Sequence, residues 1–138
     1  MPIGNTLEAK MRYRINKSKI SAIISSDFYD LSDRDQVGRI LRKFVKEEFL
    51  IKLGQGIFAK TKESKLTGKR VLEADFVTIA KQALKKLKIK IFSSQAEIDY
   101  NSGKSTQIPT GLRIAVNKRV SRTISYKGRT ISYEKATI

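Results

Sequence analysis

The clearest pattern of apolar and polar positions lies between Ser32 and Lys60. Apolar residues first recur there at the spacing of one helical face: Val37, Ile40, Leu41, Phe44 and Val45. This spacing predicts an amphipathic helix whose opposite face carries Asp35 and four basic residues. Ser32 followed by Asp35 predicts a capping box, because each side chain can accept a free backbone N–H of the first turn. One face of the helix is suited to a core and the other to an acidic partner.

A predicted β-hairpin follows this helix. Apolar residues at 49–53 lead into Gly54-Gln55-Gly56, and residues 57–60 return as the partner strand. The two glycines permit the positive φ angles of a tight turn. A helix followed by such a hairpin is the unit that a winged helix-turn-helix presents to DNA.

The preceding residues complete that order of elements. Asn5, with Glu8 three residues later, predicts the start of a first helix with Leu7, Met11 and Ile15 on one face. Residues 20–24 form an apolar run typical of a short strand. Ser26 predicts the cap of a brief helix over 27–31, with aromatic residues that pack under the next helix. We therefore expect a winged helix-turn-helix domain over residues 1–62.

The second part of the chain, residues 63–138, predicts a small α/β module. The polar segment 61–70 is expected to be a linker or an exposed connection. A long amphipathic helix follows, with its apolar face at Leu72, Phe76, Ile79, Ala80, Ala83, Leu84 and Leu87, and with Glu73 and Asp75 in its first turn. Strands at 90–92 and 112–116 flank a short helix at 95–100. The expected fold class is α+β.

An internal echo predicts that the module ends in an antiparallel hairpin. Residues 122–128 read RTISYKG and residues 129–135 read RTISYEK. With a turn at Lys127-Gly128, one face of the ribbon carries Arg122, Ile124, Tyr126, Arg129, Ile131 and Tyr133. This face could stack on nucleic acid, but packing on the long helix, with the tyrosines and arginines at the rim, is the favoured interpretation.

Charge and composition narrow the function classes. The chain of 138 residues has a net charge of +16, with 13 basic against 7 acidic residues in 1–62 and 16 against 6 in 63–138. Such a field attracts polyanions. Because there is no cysteine or histidine, disulfides, thiolate zinc sites and Cys or His catalysis are excluded. No segment has the ~20 apolar residues of a membrane span, and the N-terminus lacks a signal-peptide pattern. We expect a cytoplasmic protein with no membrane partner.

Two further motifs suggest catalysis but do not fit it. Gly103-Lys104-Ser105 suggests a phosphate-binding loop, yet the glycine that the motif needs five positions earlier is replaced by Ile98. Four carboxylates, Asp27, Asp30, Asp33 and Asp35, suggest a hydrolase, but they lie at caps and turns where local hydrogen bonds explain them. We expect no enzyme activity, no cofactor and no metal site.

Candidate DNA contacts lie on the amphipathic helix and the hairpin. Arginine suits guanine and glutamine suits adenine in bidentate geometry, so the residues expected nearest the bases are Arg34, Gln36, Arg39 and Arg42. The residues expected at phosphates or the groove edge are Lys43, Lys46, Lys52 and Gln55.

The chain from about Ser26 onward resembles the AbiEi-type antitoxins of bacterial type IV toxin–antitoxin systems. The resemblance lies in LGQGIFAK, SKLTGK, the long helix, STQIP and the terminal SRTI. It implies a winged helix that binds the promoter of its own operon and a C-terminal region active against a nucleotidyltransferase toxin, with or without direct contact. The implied antitoxin surface comprises Ser105, Thr106, Gln107, Arg122, Thr123, Tyr126, Arg129 and Tyr133. One departure is Glu48, where many wings have glycine before the first strand.

The leading hypothesis is therefore a DNA-binding antitoxin and transcriptional autorepressor, present as a monomer or weak dimer. The alternative is an RNA- or protein-binding adaptor with a structural winged helix, in which the terminal ribbon carries the interaction. The two hypotheses differ in whether Arg39 and Lys43, or Tyr126 and Tyr133, are needed for activity.

Overall fold

The computed structural model of the chain describes residues 6–104 and 112–136 and has a mixed α+β fold. In chain order, the elements are α1 (Leu7–Lys17), β1 (Ala22–Ile24), a 3-10 helix (Ser25–Phe28), α2 (Arg34–Lys46), β2 (Leu50–Gly54), β3 (Ile57–Glu63), β4 (Arg70–Leu72), α3 (Phe76–Lys86), β5 (Ile91–Phe92), α4 (Gln95–Asn101), β6 (Arg113–Val116), β7 (Ser125–Tyr126), β8 (Arg129–Thr130) and β9 (Ser132–Lys135). The α+β class is confirmed. Among the described residues, no helix combines the length and the apolar character needed to cross a membrane.

The side chains that cap α1 and α2 each lie one position after the predicted cap. Asp33, rather than Ser32, caps α2 by accepting the N–H of Gln36 at 2.8 Å. Thr6 caps α1, and the predicted cap Asn5 lies outside the described residues. The brief helix expected after Ser26 is instead the 3-10 turn Ser25–Phe28. Thr6 and Asp33 use the same chemistry, because a short polar side chain can accept a free N–H group of the first turn.

The first sheet has the strand order β1-β3-β2, and β4 pairs with the second half of β3. Of the linker or exposed connection predicted over 61–70, residues 64–69 are an exposed connection between β3 and β4, whereas 61–63 and 70 belong to these strands. The predicted boundary after Lys62 falls inside β3.

Strand β1 and the first half of β3 are buried on both faces, which explains their continuous apolar residues, whereas the second half of β3 and β4 are half-buried or exposed. Ile23 and Phe58 are cross-strand partners and belong to a core formed with α1, α2 and the 3-10 helix. Their neighbours Ala22, Ile24 and Ala59 belong to a second core, which also contains the apolar face of α3, β6 and residues of the terminal segment. The two predicted parts of the chain therefore share this second core.

Helix α3 begins at Phe76, and Leu72 instead lies in β4. Asp75 caps the helix by accepting the N–H of Thr78 at 3.3 Å. The apolar face from Phe76 to Leu84 is buried as predicted.

The terminal hairpin is shorter than predicted. Strands β7 and β8 pair as Ser125 with Thr130 and Tyr126 with Arg129, in the expected register. After Ile131 the chain leaves the ribbon, and β9 pairs in parallel with β6. The isoleucines of the ribbon are buried with α3, which confirms the favoured packing interpretation.

Candidate nucleic-acid interface

Helix α2 places its polar residues on two flanks of its exposed side. All eight predicted DNA contacts, Arg34, Gln36, Arg39, Arg42, Lys43, Lys46, Lys52 and Gln55, are exposed. One flank faces the β2–β3 hairpin and the other faces the start of α1. The two flanks differ in how far their charges are neutralised.

The first flank forms one side of a groove of about 670 Å³ between α2, the 3-10 helix and the β2–β3 hairpin. Its cationic side chains are Arg34, Arg42, Lys52 and Arg122, and Gln55 lies beside them. No carboxylate lines this groove, and none of the four cations makes an ion pair with a described residue. We call this feature the basic groove.

The basic groove has an apolar floor formed by Leu41, Val45 and Phe58. Gly38 also lines it, and the position of a β-carbon there would be 3.4 Å from a guanidinium nitrogen of Arg42. The guanidinium of Arg34 lies 5.7 Å from the ring centre of Tyr29. Planar guanidinium groups are therefore presented over aromatic and apolar surface, an arrangement that leaves their N–H groups available for an anionic or base-edge ligand.

The second flank is partly neutralised by α1. The ammonium of Lys43 lies 2.7 Å from a carboxylate oxygen of Glu8. This hydrogen bond lowers the pKa of Glu8, with a smaller contribution from Arg12, and it raises the pKa of Lys43. Arg39 donates to the side-chain oxygen of Gln36. The predicted contacts Gln36, Arg39 and Lys43 therefore already have intramolecular partners.

The tip of the β2–β3 hairpin is held against other parts of the chain. The N–H of Ser25 donates to the carbonyl of Gly56 at 3.0 Å. Arg122 donates to the carbonyl of Gln55 at 2.9 Å. Gly54 lies so close to the terminal segment that a β-carbon there would be 2.3 Å from the carbonyl oxygen of Thr123. The groove is thus closed at one end by the C-terminal part of the chain.

Arg122 is the residue that sequence reasoning placed elsewhere. It was assigned to the implied antitoxin surface, yet it lines the basic groove, 67 positions after Gln55 in sequence. The only signal for it in the sequence was the terminal echo, which says nothing about distance to the first hairpin. Its place depends on the long-range packing of Ile124 into the second core.

Of the remaining residues of the implied antitoxin surface, Tyr126, Arg129 and Tyr133 make contacts within the chain, Thr123 is exposed, and the other three are not described. Ser105, Thr106 and Gln107 lie outside the described residues. The ring of Tyr126 contacts Phe76 at 6.2 Å between centres, and the guanidinium of Arg129 lies 5.4 Å from the same phenylalanine ring.

Tyr133 also makes an internal contact. Its hydroxyl donates to the carbonyl of Arg122 at 3.0 Å, and burial raises its pKa. Tyr126 and Tyr133 are partly buried, so they do not fully expose the rings that the adaptor hypothesis requires for stacking.

Three of the four suspected catalytic carboxylates have local structural roles. Asp27 accepts the N–H of Ile24 at 3.1 Å and an N–H of Lys86 at 2.7 Å. Asp30 pairs with Arg14, whose hydrogen bond lowers the pKa of the carboxyl group. Asp33 is the cap of α2. Within residues 6–104 and 112–136, no group of three or more carboxylates is placed to hold a metal ion.

Comparison with known proteins gives one match. The model of a family described as a family of unknown function, DUF6088, matches residues 10–138. No curated protein and no solved structure matches the chain.

Proposed function

Because the chain belongs to the DUF6088 family, whose function is unknown, we propose a function from the interface: the protein binds duplex DNA through the basic groove and represses transcription of its own operon. The observation that carries this proposal is the set of four cations, Arg34, Arg42, Lys52 and Arg122, around a groove that no carboxylate of the described residues lines. Cations that line a concave site focus a positive potential, which attracts phosphates.

The order of elements supports the same proposal. The N-terminal part runs helix, strand, 3-10 helix, helix and hairpin, and its sheet has the order β1-β3-β2. We propose that this arrangement is a winged helix-turn-helix in which the 3-10 turn stands in place of the second helix. In that geometry α2 is the recognition helix, and the N-terminal half of such a helix approaches base edges in the major groove.

The contacts are proposed flank by flank. Arg34 and Arg42 are the candidates for base edges, since a guanidinium can bind guanine in bidentate fashion. Lys52 and Arg122 are the candidates for phosphates on either side. Arg39 and Lys43 contribute only if they exchange their present partners, Gln36 and Glu8, for DNA.

The antitoxin part of the proposal is supported by the resemblance to AbiEi-type antitoxins alone. We propose that a nucleotidyltransferase encoded beside this gene is the toxin, and that both proteins act in the cytoplasm. The test is growth of cells that express this toxin with wild-type protein or with R34A/R42A. The wild-type protein and R34A/R42A should both restore growth if the C-terminal part carries the antitoxin activity. Failure of the wild-type protein to restore growth would remove the antitoxin role.

DNA binding is tested by fluorescence anisotropy with the duplex upstream of the gene and a scrambled duplex of equal length. The variant R34A/R42A removes two cations of the groove, and K85A/K90A removes two exposed cations that make no ion pair with a described residue. Loss of each base-directed arginine is expected to cost about 1–3 kcal/mol of binding and to reduce the preference for the upstream sequence.

The control variant should keep that preference. Equal affinity of the wild-type protein for both duplexes would contradict sequence-specific repression. Equal losses in R34A/R42A and K85A/K90A would contradict the role of the groove, because the effect would then follow net charge alone.

A further inference from the structure

A second exposed element lies outside the basic groove. Strands β3 and β4 are joined by the turn 64–69, and its apex residue Leu66 is 96% exposed. A single exposed leucine is normal on a protein surface, so the informative feature is that Leu66 lies at the apex of a turn among exposed lysines. We call β3, β4 and this turn the basic hairpin, for the charges described below.

Hydrogen bonds within the turn hold the backbone around Leu66. The N–H of Ser64 donates to the carbonyl of Lys69, and the N–H of Gly68 donates to the carbonyl of Ser64, both at 2.8 Å. Gly68 has a φ of +71°, a conformation that glycine adopts without strain. The N–H of Leu66 itself bonds to the Ser64 hydroxyl at 3.3 Å. The conformation of the turn is therefore held by hydrogen bonds among residues 64–69.

Cations flank the apex on both strands. Lys62, Lys65 and Lys69 are exposed and make no ion pair with any described residue, while Glu63 is the one acidic residue between Lys60 and Arg70. Arg70 is folded back, with its guanidinium 2.8 Å from the Thr61 hydroxyl. Three lysines thus remain available for a polyanion.

The basic hairpin emerges beside the C-terminal end of α2. The Thr61 hydroxyl lies within hydrogen-bond distance of the carbonyls of Glu48 and Phe49, the residues that follow this helix, and can donate its one proton to either. The turn 54–56 lies at the other end of the seven-residue strand β3. At the strand rise of about 3.3 Å per residue, the two turns are separated by roughly 20 Å. The basic groove therefore lies at the start of β3 and the turn of the basic hairpin at its end.

We propose that the basic hairpin is a second contact with duplex DNA, in which Lys65 and Lys69 bind the phosphates that border a minor groove and Leu66 wedges against a base step. This inference rests on the proposed DNA binding. Apolar side chains such as leucine serve as wedges that unstack a step and kink the duplex, and β-ribbons are known readers of either groove. A basic ribbon with a single apolar apex combines the two requirements.

A membrane surface is the competing partner for a basic hairpin with an apolar apex. Burying one leucine contributes only about 1.5–3 kcal/mol, which is far less than the acyl chain that stable membrane attachment combines with a polybasic patch. The turn from Ser64 to Lys69 holds no aromatic residue and no further apolar side chain. The observations favour DNA.

The test uses the full chain and a duplex of about 30 bp, labelled at both ends so that energy transfer reports bending. We expect K65A/K69A to lower the slope of log affinity against log salt by about 2, because each lost phosphate contact contributes about 0.9. L66A should leave this slope unchanged and abolish the bend. K85A/K90A is the matched control for lost charge and should resemble wild type in both measurements.

The outcomes separate this inference from the proposed function. Wild-type slopes in K65A/K69A, or a bend that persists in L66A, would overturn the basic hairpin while R34A/R42A still loses binding. Absence of DNA binding by the wild-type chain would overturn both proposals. Binding to vesicles of phosphatidylcholine and phosphatidylserine that is lost in L66A, with DNA bending unaffected, would reassign the hairpin to a membrane. Unfolding temperatures check that each variant is folded.

Discussion

Gly54→Ala tests the contact between the β2–β3 turn and the terminal segment. A β-carbon at position 54 would lie 2.3 Å from the carbonyl oxygen of Thr123, about 0.7 Å inside the shortest approach that β-carbons make to other atoms. The obstructing atom belongs to backbone beside Ile124, which is fully buried. The added methyl must therefore displace the turn or pull the terminal segment out of its core.

The expected cost follows from overpacking of this kind, which typically destabilises by about 1–3 kcal/mol. Because backbone has to move, we expect a value near the upper end, about 2–3 kcal/mol. An unfolding entropy of about 2.1 cal/mol/K per residue makes each kcal/mol worth roughly 3.5 °C for a chain of this length. The unfolding temperature should fall by about 7–10 °C, and urea unfolding should give the matching change in midpoint.

Two variants show whether the contact itself is responsible. Gly38→Ala places its β-carbon 3.4 Å from the flexible end of Arg42, so we expect it to stabilise α2 by up to about 1 kcal/mol. Arg122→Ala removes only the hydrogen bond to Gln55, at a cost of about 0.5–1.5 kcal/mol. A Gly54→Ala protein within about 0.5 kcal/mol of wild type, a difference typical of neutral surface substitutions, would refute the close approach.

Two further predictions concern the ends of α2 and α1. Glu48 has a φ of +63° just after α2. Glu48→Gly should therefore raise the free energy of unfolding by about 0.5–1 kcal/mol, after the extra entropy of the unfolded glycine is subtracted. Lys88→Gly, at a φ of +64° after α3, should have the same effect, and a loss of stability in both variants would contradict backbone strain at these positions. Glu8 has a pKa below its ordinary value of 4.5 because of its hydrogen bond to Lys43, so its contribution is present above pH 4.5 and is lost as the pH falls through the lower folded-state pKa. The difference in urea midpoint between wild type and Glu8→Gln should shrink below pH 4.5, and a difference that stays constant from pH 7 to pH 3 would contradict the contribution of this carboxylate.

Elements with a strong local pattern were predictable from the sequence. Helix α2 buries Val37, Ile40, Leu41 and Phe44 as its spacing indicated, because a period of about 3.6 residues can be satisfied by only one face of a helix. Strand β1 and the two strands of the first hairpin were likewise found where their apolar runs lie. Local burial and local sequence agree in these segments.

Elements defined by distant partners were not predictable in the same way. Leu72 is four residues before Phe76 and therefore fits the helical pattern of α3, although it lies in β4. The cap at Asp75 stops the helix from extending back to it. The parallel pairing of β6 with β9 joins residues such as Ile114 and Tyr133, and nothing in two short strands specifies such a partner.

The candidate site was predictable only in its exposed side chains. A helical projection shows that Arg34, Arg39, Arg42 and Lys43 point away from the core, but it does not show on which flank the hairpin packs. That flank depends on how the sheet lies against α2, and the acidic residue that neutralises the other flank comes from α1. Residues close in sequence therefore have different electrostatic surroundings.

Strand β3 crosses the predicted domain boundary after Lys62, so the chain cannot be divided there without cutting a strand. It is the common pairing partner of β1, β2 and β4, and a cut after Lys62 would sever it within its ladder with β4, between Lys62, which pairs with Val71, and Glu63, which pairs with Arg70. A cut within the exposed turn 64–69 would leave each strand whole. Two fragments divided there retain all three β3–β4 pairs and the shared apolar core with which to reassemble.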